Sequence, residues 1–241
     1  QRDGEGRPYP EGDIEILLAD YGTRNPRLRR SIAGLARRYG CRCLWLGSRV
    51  ARRLEAYNLA CGEARHELIL RSDVDNVFRG DFFRLAFRCF PPGERKLGIC
   101  PPRFGPGPAE ARRSLRRDRG WVKPALFRGP RYRPGTGAIQ LADARLFEAV
   151  GGFDPALEAL EDIDFLVRVR RKGYPVVTLH RDTDLVHQDH PACGRHWYFR
   201  RLPRDLASLC EKLVPPGGSS PGGSLKPSQA TRLRRLEPLL R

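Results

Sequence analysis

Apolar residues follow two kinds of spacing along this chain: short runs typical of buried strands, and 3.6-residue patterns typical of helices. From residue 14 the order is strand, helix, strand, helix, strand, and a similar alternation follows from residue 138. The predicted strands cover 14–19, 43–46, 67–71, 138–141, 175–179 and 184–187, and the predicted helices cover 26–39, 49–61, 143–150 and 162–172. This pattern predicts an α/β fold with a mainly parallel sheet, in which ligands bind at the carboxyl ends of the strands.

The composition shifts at both ends of the chain and once in the middle. Residues 1–12 are rich in Gly, Pro and charged residues, and 214–241 contain a Pro-, Gly- and Ser-rich run before a basic segment. We expect a flexible leader and a linker with a basic tail there. Between them, the predicted halves 13–100 and 136–213 flank a Pro-, Gly- and Arg-rich segment, 101–135, that we interpret as a loop or lid.

The charge balance is strongly basic. The 241 residues include 45 Lys and Arg against 28 Asp and Glu, a net charge of +17, and 40 of the basic residues are Arg. Either a surface binds polyanions, or a codon bias has placed arginines on solvated helix faces. With 40% hydrophobic residues the chain can form a core, but no run reaches the roughly 18 residues of a membrane span.

Two residue types limit the possible classes of protein further. The sequence contains no Met, so we expect it to be part of a longer chain, and signals for localisation would lie outside it. Its seven cysteines form no C-x-x-C pair, which argues against a zinc ribbon or a disulfide framework.

Carboxylates stand at the places where an α/β fold binds ligands. Asp20 ends the first predicted strand, Asp73 and Asp75 follow the third, and Glu161 and Asp162 begin a helix. Two carboxylates two residues apart after a buried strand can share a divalent cation, Mg²⁺ or Mn²⁺. The alternative is a solvated turn and a helix start whose acids offset the macrodipole.

The order of these motifs resembles the GT-A nucleotide-sugar transferases, specifically the family 2 glycosyltransferases, over about residues 13–187. Asp20-Tyr21-Gly22-Thr23 stands where that family has its uracil-binding turn, and Asn58 precedes Asp73-Val74-Asp75 by the family's fifteen residues. The run GTGAIQLADARLFEAVGGFDPALEALEDIDFLVRVRRKGYPV carries the Gly-Gly-Phe-Asp and Glu-Asp motifs in the family's order. The resemblance implies a GT-A fold in a single domain, 13–213, with a Rossmann-like, mainly parallel central sheet flanked by helices.

The resemblance also implies an activity. It is the metal-dependent transfer of a sugar from a nucleotide sugar, a UDP-sugar, to a saccharide or other hydroxyl acceptor, by direct displacement with inversion. The first half would bind the nucleotide, and the second would carry the acceptor site and catalysis. The implied nucleotide-sugar ligands are Asp20, Gly22, Asn58 and Asp73. The implied ligands of Mn²⁺ or Mg²⁺ are Asp73, Asp75 and His187. The implied catalytic residues are Asp162 as the base and Glu161, and the implied acceptor-binding residues are Gly152, Glu161 and Trp121.

Some of these roles have alternatives. His187 would otherwise be a buried structural histidine. Trp121, in the predicted loop near Lys123 and Arg128, would stack on a sugar or close over the donor, or would be a packing anchor. Asp164 is interpreted as a helix cap. Nucleic acid is not an expected partner of such an enzyme.

The chain departs from the family in several places. The family's first strand has no counterpart before Asp13, Tyr57 replaces the Arg of an Ala-Arg-Asn motif, and Tyr21 replaces the second Asp of the uracil turn. A Gln-x-x-Arg-Trp motif is missing, which favours single addition over processive synthesis. The rival hypothesis is a non-catalytic or truncated GT-A scaffold that binds nucleic acid or an acidic glycan. The compartment would be the cytoplasm for a bacterial enzyme and the Golgi lumen for a eukaryotic one.

Overall fold

The computed structural model describes residues 14–47, 52–78, 82–91, 93–100, 103–105, 139–157, 160–179 and 185–188, with backbone only at Leu85, 103–105 and 185–188. The helices are α1 (Pro26–Arg38), α2 (Arg53–Gly62), α3 (Phe82–Cys89), α4 (Ala144–Val150) and α5 (Glu161–Arg171). The strands are β1 (Leu17–Asp20), β2 (Arg42–Trp45), β3 (Leu68–Ser72), β4 (Asn76–Phe78), β5 (Leu97–Ile99), β6 (Arg103–Gly105), β7 (Ile139–Asp143), β8 (Val176–Thr178) and β9 (Leu185–Gln188).

The described strands form three sheets. β1 and β2 pair in parallel, β3-β7-β5-β8 form the largest sheet, and β4-β9-β6 form the third. Three pairings are parallel (β1–β2, β5–β8 and β6–β9), and three are antiparallel (β3–β7, β5–β7 and β4–β9). The α/β class is confirmed, and the pairing is more evenly mixed than the strand and helix pattern predicted, because β7 enters the sheet antiparallel to both of its neighbours.

The helix ends follow local chemistry. The side chain of Asn25 accepts hydrogen bonds from the amides of Arg27 and Leu28, and Pro26 occupies the first helical position of α1, where no amide donor is needed. Asp143 caps α4 in the same way, and Gly151 ends that helix with φ +83°, a conformation that costs glycine little. These caps fix the ends of the helices that flank the sheets.

Two apolar clusters form the core around the largest sheet. One contains Phe153, Phe165, Leu146 and Leu97 together with Leu54 of α2. The other lies on the opposite side of the sheet and includes residues of α3, β3, β7 and β8. Ala56, two residues after Leu54, packs instead with Leu46 of the β1–β2 region. Helix α2 therefore connects the small parallel sheet to the main core.

Several expectations lie outside the described residues. These are the leader 1–12, most of the loop or lid 101–135 and the tail 214–241, so the predicted domain boundaries remain predictions. Within the described ranges, no helix combines the length and the apolar character that crossing a bilayer requires.

Candidate active site

A buried arginine on β3 joins two acidic segments that are far apart in the sequence. Nη2 of Arg71 lies 3.4 Å from Oδ1 of Asp73 and 3.1 Å from Oε1 of Glu161. Nη2 of Arg53, on α2, lies 2.8 Å from the same Glu161 oxygen. The acidic residues that end β3 and begin α5 therefore meet at one guanidinium group, as a shared cleft requires.

Aromatic rings surround this guanidinium. Arg71 lies over the ring of Tyr57, 4.6 Å from its centroid, and 5.5 Å from the centroid of Phe153. The hydroxyl of Tyr57 donates to Oδ1 of Asp73 at 3.0 Å. Burial makes both the charge–π contacts and the ion pairs stronger than they would be in water. Tyr57 is thus part of the cluster that orients Asp73.

The D-x-D turn, Asp73-Val74-Asp75, comes directly after β3 in the chain. Asn76 donates through its side chain to the carbonyl of Asp73 and to Oγ of Ser72, which closes the turn between β3 and β4. Burial raises the pKa of Asp73, and the charge of Asp75 acts in the same direction, against the opposing effects of Arg71 and Tyr57. The two carboxylates are thus close enough to repel each other.

This turn fits a divalent cation. Mg²⁺ and Mn²⁺ prefer hard oxygen ligands and often bind one or two carboxylates together with substrate phosphates. Both hydrogen bonds to Asp73 end at Oδ1, and a cation would relieve the repulsion between Asp73 and Asp75. Among the side chains that the structure describes, no group of three or more His, Cys, Asp or Glu residues forms a complete protein cage. The hard oxygen atoms of the two carboxylates are the kind of ligand that such a cation prefers.

The start of α5 carries the candidate base. Glu161 is buried and held by the two arginines, whereas Asp162 is only partly buried. Nε2 of Gln140, on β7, donates to the backbone carbonyl of Asp162 at 3.2 Å. Leu160, just before the helix, adopts φ +61°, a left-handed conformation that costs a non-glycine residue roughly 1 kcal/mol or more. Such strain often accompanies a functional position.

The surroundings of Asp162 shift the pKa of its carboxyl group toward neutral pH. Burial raises the pKa of Asp162 to about 7, and the charge of Glu161 adds to the rise, while Arg71 and the backbone amides of Ile163 and Asp162 itself oppose it. A carboxyl group with such a pKa can accept and release a proton at physiological pH.

Asn58 uses its amide to join α2 to the Gly-Gly-Phe-Asp turn. Its Nδ2 donates to the carbonyl of Phe153 at 2.8 Å, and its Oδ1 accepts from the amide of Phe153 at 2.8 Å. Gly152 adopts φ +65°, and a Cβ there would lie 2.7 Å from Oδ1 of Asn58. The structure thus gives both residues a role in assembling the site, and their ligand contacts remain predictions.

Asp20 and Gly22 form a turn of their own. Oδ1 of Asp20 accepts from the amides of Gly22 and Thr23 at 3.1 and 3.0 Å. Burial opposes ionisation of Asp20, but these hydrogen bonds and the charge of Arg29 outweigh it and hold the pKa below its ordinary value. The described contacts of Asp20 do not reach the Arg71 cluster. Helix α2, which carries Arg53 and Tyr57 of that cluster, packs against β1.

The remaining predicted residues are only partly described. The backbone of His187 pairs with Asn76, the residue after the D-x-D, so β9 runs beside the proposed metal turn. Trp121 lies outside the described residues.

Sequence reasoning missed Arg53, Arg71 and Gln140. The one visible signal was Arg71, a charged residue at the end of the apolar run Leu68-Ile69-Leu70. Asp164, whose role as a helix cap remains a prediction, accepts a hydrogen bond from Nε of Arg168 at 2.8 Å, one helical turn along α5.

Comparison with known proteins gives structural likenesses. No model of a protein family matches the chain, and no curated protein matches it significantly. The chain is similar to the mannosyltransferase PcManGT from Pyrobaculum calidifontis, solved with GDP-Man and Mn²⁺, with a TM-score of 0.58 and 16% identity over 88% of this chain and 58% of that one. It is also similar to GalNAc-T7, solved with UDP, GalNAc and Mn²⁺, with a TM-score of 0.54 and 11% identity over 74% of this chain and 38% of that one.

These likenesses show the fold. The chain adopts the GT-A fold as a single domain, as the resemblance in sequence implied. The chain spans less than two thirds of the length of either protein.

Proposed function

We propose that this protein is a metal-dependent glycosyltransferase that moves a sugar from a nucleotide sugar to a hydroxyl acceptor. The observation that carries the proposal is the meeting of the D-x-D turn and the acidic start of α5 at Arg71, within a GT-A fold. Two proteins of similar fold were solved with a nucleotide or nucleotide sugar and Mn²⁺, which supports a nucleoside diphosphate sugar as donor. The finer assignment to a UDP-sugar rests on the motif resemblance.

The donor site would lie along the carboxyl ends of β1 and β3. Asp73 and Asp75 would hold Mn²⁺ or Mg²⁺, with His187 as a further ligand. When bound, the cation would stabilise the negative charge that develops on the diphosphate as the sugar leaves. Asp20, Gly22 and Asn58 would contribute to nucleotide binding.

Arg71 and Tyr57 would prepare the carboxylate of Asp73. Both contact its Oδ1, so the orientation of the side chain is fixed before any ligand arrives. Such preorganisation avoids the cost of ordering the group during the reaction.

Asp162 would act as the general base. It would take the proton from the acceptor hydroxyl as that oxygen attacks the sugar carbon, so that the sugar–phosphate bond breaks with inversion. Its pKa of about 7 suits this role. Glu161 would hold the start of α5 in position through its ion pairs with Arg53 and Arg71. Gly152, Glu161 and Trp121 would contact the acceptor.

Ligand-induced thermal stabilisation tests the proposal. UDP or GDP should raise the melting temperature in the presence of Mn²⁺ and much less without it. Asp73→Asn combined with Asp75→Asn should abolish the Mn²⁺-dependent part. The control variant, Glu94→Gln with Glu148→Gln, removes two exposed carboxylates elsewhere and should retain it.

A donor panel then tests turnover. The protein is incubated with Mn²⁺ and UDP- and GDP-sugars, with and without saccharide acceptors, and the release of free nucleotide is measured. Release from one donor that depends on Asp162 supports the proposal. Two results together would contradict the proposal. They are a rise in melting temperature with every nucleotide that does not depend on Mn²⁺, and no release of free nucleotide from any donor.

A further inference from the structure

Helix α1 exposes large apolar side chains on one side. Leu28, Leu35 and Tyr39, the residue that follows the helix, are 51%, 53% and 64% exposed. Their spacing of seven and four residues places them on a single face of α1, and they extend over about 16 Å at 1.5 Å per residue. We call these three residues the α1 stripe.

The rest of α1 fixes which way the stripe faces. Ala36 is buried, and Ile32 and Ala33 are partly buried. The guanidinium of Arg29 lies 4.7 Å from the ring centroid of Trp45, on β2. These residues hold α1 on the small sheet, and the α1 stripe lies beside this packing face with its three side chains largely exposed.

The helix that carries the stripe is rich in arginine and has no acidic residue. The sequence from Tyr21 to Leu54 contains ten arginines and no Asp or Glu. Arg27, Arg30, Arg37 and Arg38 are exposed on α1. Over the described ranges, no ion pair involves an arginine of this helix.

From these observations we infer that α1 binds the surface of an anionic lipid bilayer. An amphipathic helix with an apolar stripe flanked by arginines can lie in the interface, where its leucines enter the acyl boundary and its guanidinium groups meet lipid phosphates. Nucleic acid would satisfy the arginines but would leave Leu28 and Leu35 in water. The combination of charge and apolar exposure therefore favours lipid over a soluble polyanion.

Co-sedimentation of the full chain with vesicles tests this inference. The protein should bind vesicles of phosphatidylglycerol mixed with phosphatidylcholine, should bind pure phosphatidylcholine weakly, and should be released partly by salt. Leu28→Ser with Leu35→Ser should reduce the partition coefficient about tenfold or more, since it removes two apolar anchors. Arg27→Gln with Arg38→Gln should reduce it to a similar degree, by removing two charges near the lipid surface.

Matched variants elsewhere control for general effects. Leu59→Ser removes a leucine on α2 that is 44% exposed, and Arg88→Gln with Arg95→Gln removes two exposed charges outside α1. Both should retain vesicle binding, and circular dichroism melts should show that all variants remain folded.

Three results would overturn the inference. The first is binding to anionic vesicles that none of the α1 variants changes. The second is loss of binding in the arginine variant but not the leucine variant, together with equal binding to a polyanion such as heparin, which would assign the surface to polyanions. The third is no vesicle binding together with dimers, seen by light scattering, that Leu28→Ser and Leu35→Ser dissociate, which would make the stripe a contact between two copies.

Discussion

Arg71 balances the charges of two carboxylates at a place that water hardly reaches. Its side chain is 3% exposed, and that of Glu161 is 9% exposed. Removing one partner of a buried ion pair leaves a charge without compensation, and this costs far more than removing an exposed pair. Arg71 therefore holds both acidic segments in place, because Asp73 and the start of α5 contact the same guanidinium group.

Arg71→Met tests this dependence. We expect it to lower the free energy of unfolding by roughly 3–5 kcal/mol, measured by urea denaturation, and to abolish the Mn²⁺-dependent stabilisation by nucleotide. Arg145→Met is the matched control, because Arg145 and Glu67 form a 3.9 Å pair in which both side chains are largely exposed. That pair should contribute about 0–1 kcal/mol. Equal losses in both variants would contradict the importance of the buried cluster.

The two glycines of the Gly-Gly-Phe-Asp turn differ in what surrounds them. Both have positive φ angles, but a Cβ at Gly151 would meet nothing within 4 Å, whereas one at Gly152 would lie 2.7 Å from Oδ1 of Asn58. Gly151→Ala should thus cost only the left-handed conformation, about 1–2 kcal/mol.

Gly152→Ala should cost about 1–3 kcal/mol more than Gly151→Ala, because Asn58 must move and its two hydrogen bonds to Phe153 weaken. Urea denaturation of the two variants measures the difference. Equal losses in the free energy of unfolding would show that Asn58 moves at little cost and does not hold the Gly-Gly-Phe-Asp turn in place.

At the scale of the element, the start of α5 carries a carboxyl group whose ionisation lowers the stability of the fold. The raised pKa of Asp162 means that the folded protein binds this proton more tightly than the unfolded chain does. The stability that this carboxyl group contributes is therefore lost as the pH rises from about 4 to about 7, and the loss is complete above pH 7. The limit of this effect is about 4 kcal/mol, since a tenfold change in proton affinity corresponds to about 1.4 kcal/mol.

Asp162→Asn should change stability and transferase activity in opposite directions. Above pH 7 the variant should be more stable than the parent, with the difference vanishing toward pH 4, while transferase activity should fall by about 100-fold or more. In the parent, kcat/KM should rise with pH through about 7. Asp164→Asn, two residues along, should instead lose stability, because Asp164 holds Arg168 at 2.8 Å. Loss of stability in Asp162→Asn above pH 7 would contradict the assignment.

The elements that the sequence predicted well are those with caps and a long apolar pattern. Helix α1 was predicted at 26–39 and is found at Pro26–Arg38, since Asn25 and Pro26 mark its start. Strands β4 and β6 have three residues each, too few for an alternating pattern to stand out. The antiparallel entry of β7 was not predicted, because the direction of pairing depends on residues far away in the chain.

At the scale of the whole molecule, the sequence predicted which carboxylates end strands and begin helices, but not what holds them together. Asp73 and Glu161 were predicted as site residues, and the structure brings both to Arg71. The contribution of Arg53 required the three-dimensional arrangement, because α2 and α5 meet only in the folded protein.

The pairing of β3 with β7 also affects the order in which the protein can fold. Leu68 pairs with Asp143, so a nascent chain presents β3 well before its partner strand exists. At a synthesis rate of about 5–20 residues per second, the ribosome needs roughly 4–15 s to supply that partner. During this interval an apolar strand edge is open to chaperones and to other nascent chains, and Asp73 and Glu161 cannot yet meet at Arg71. The long-range contacts that assemble this cluster thus make the newborn chain slow to mature.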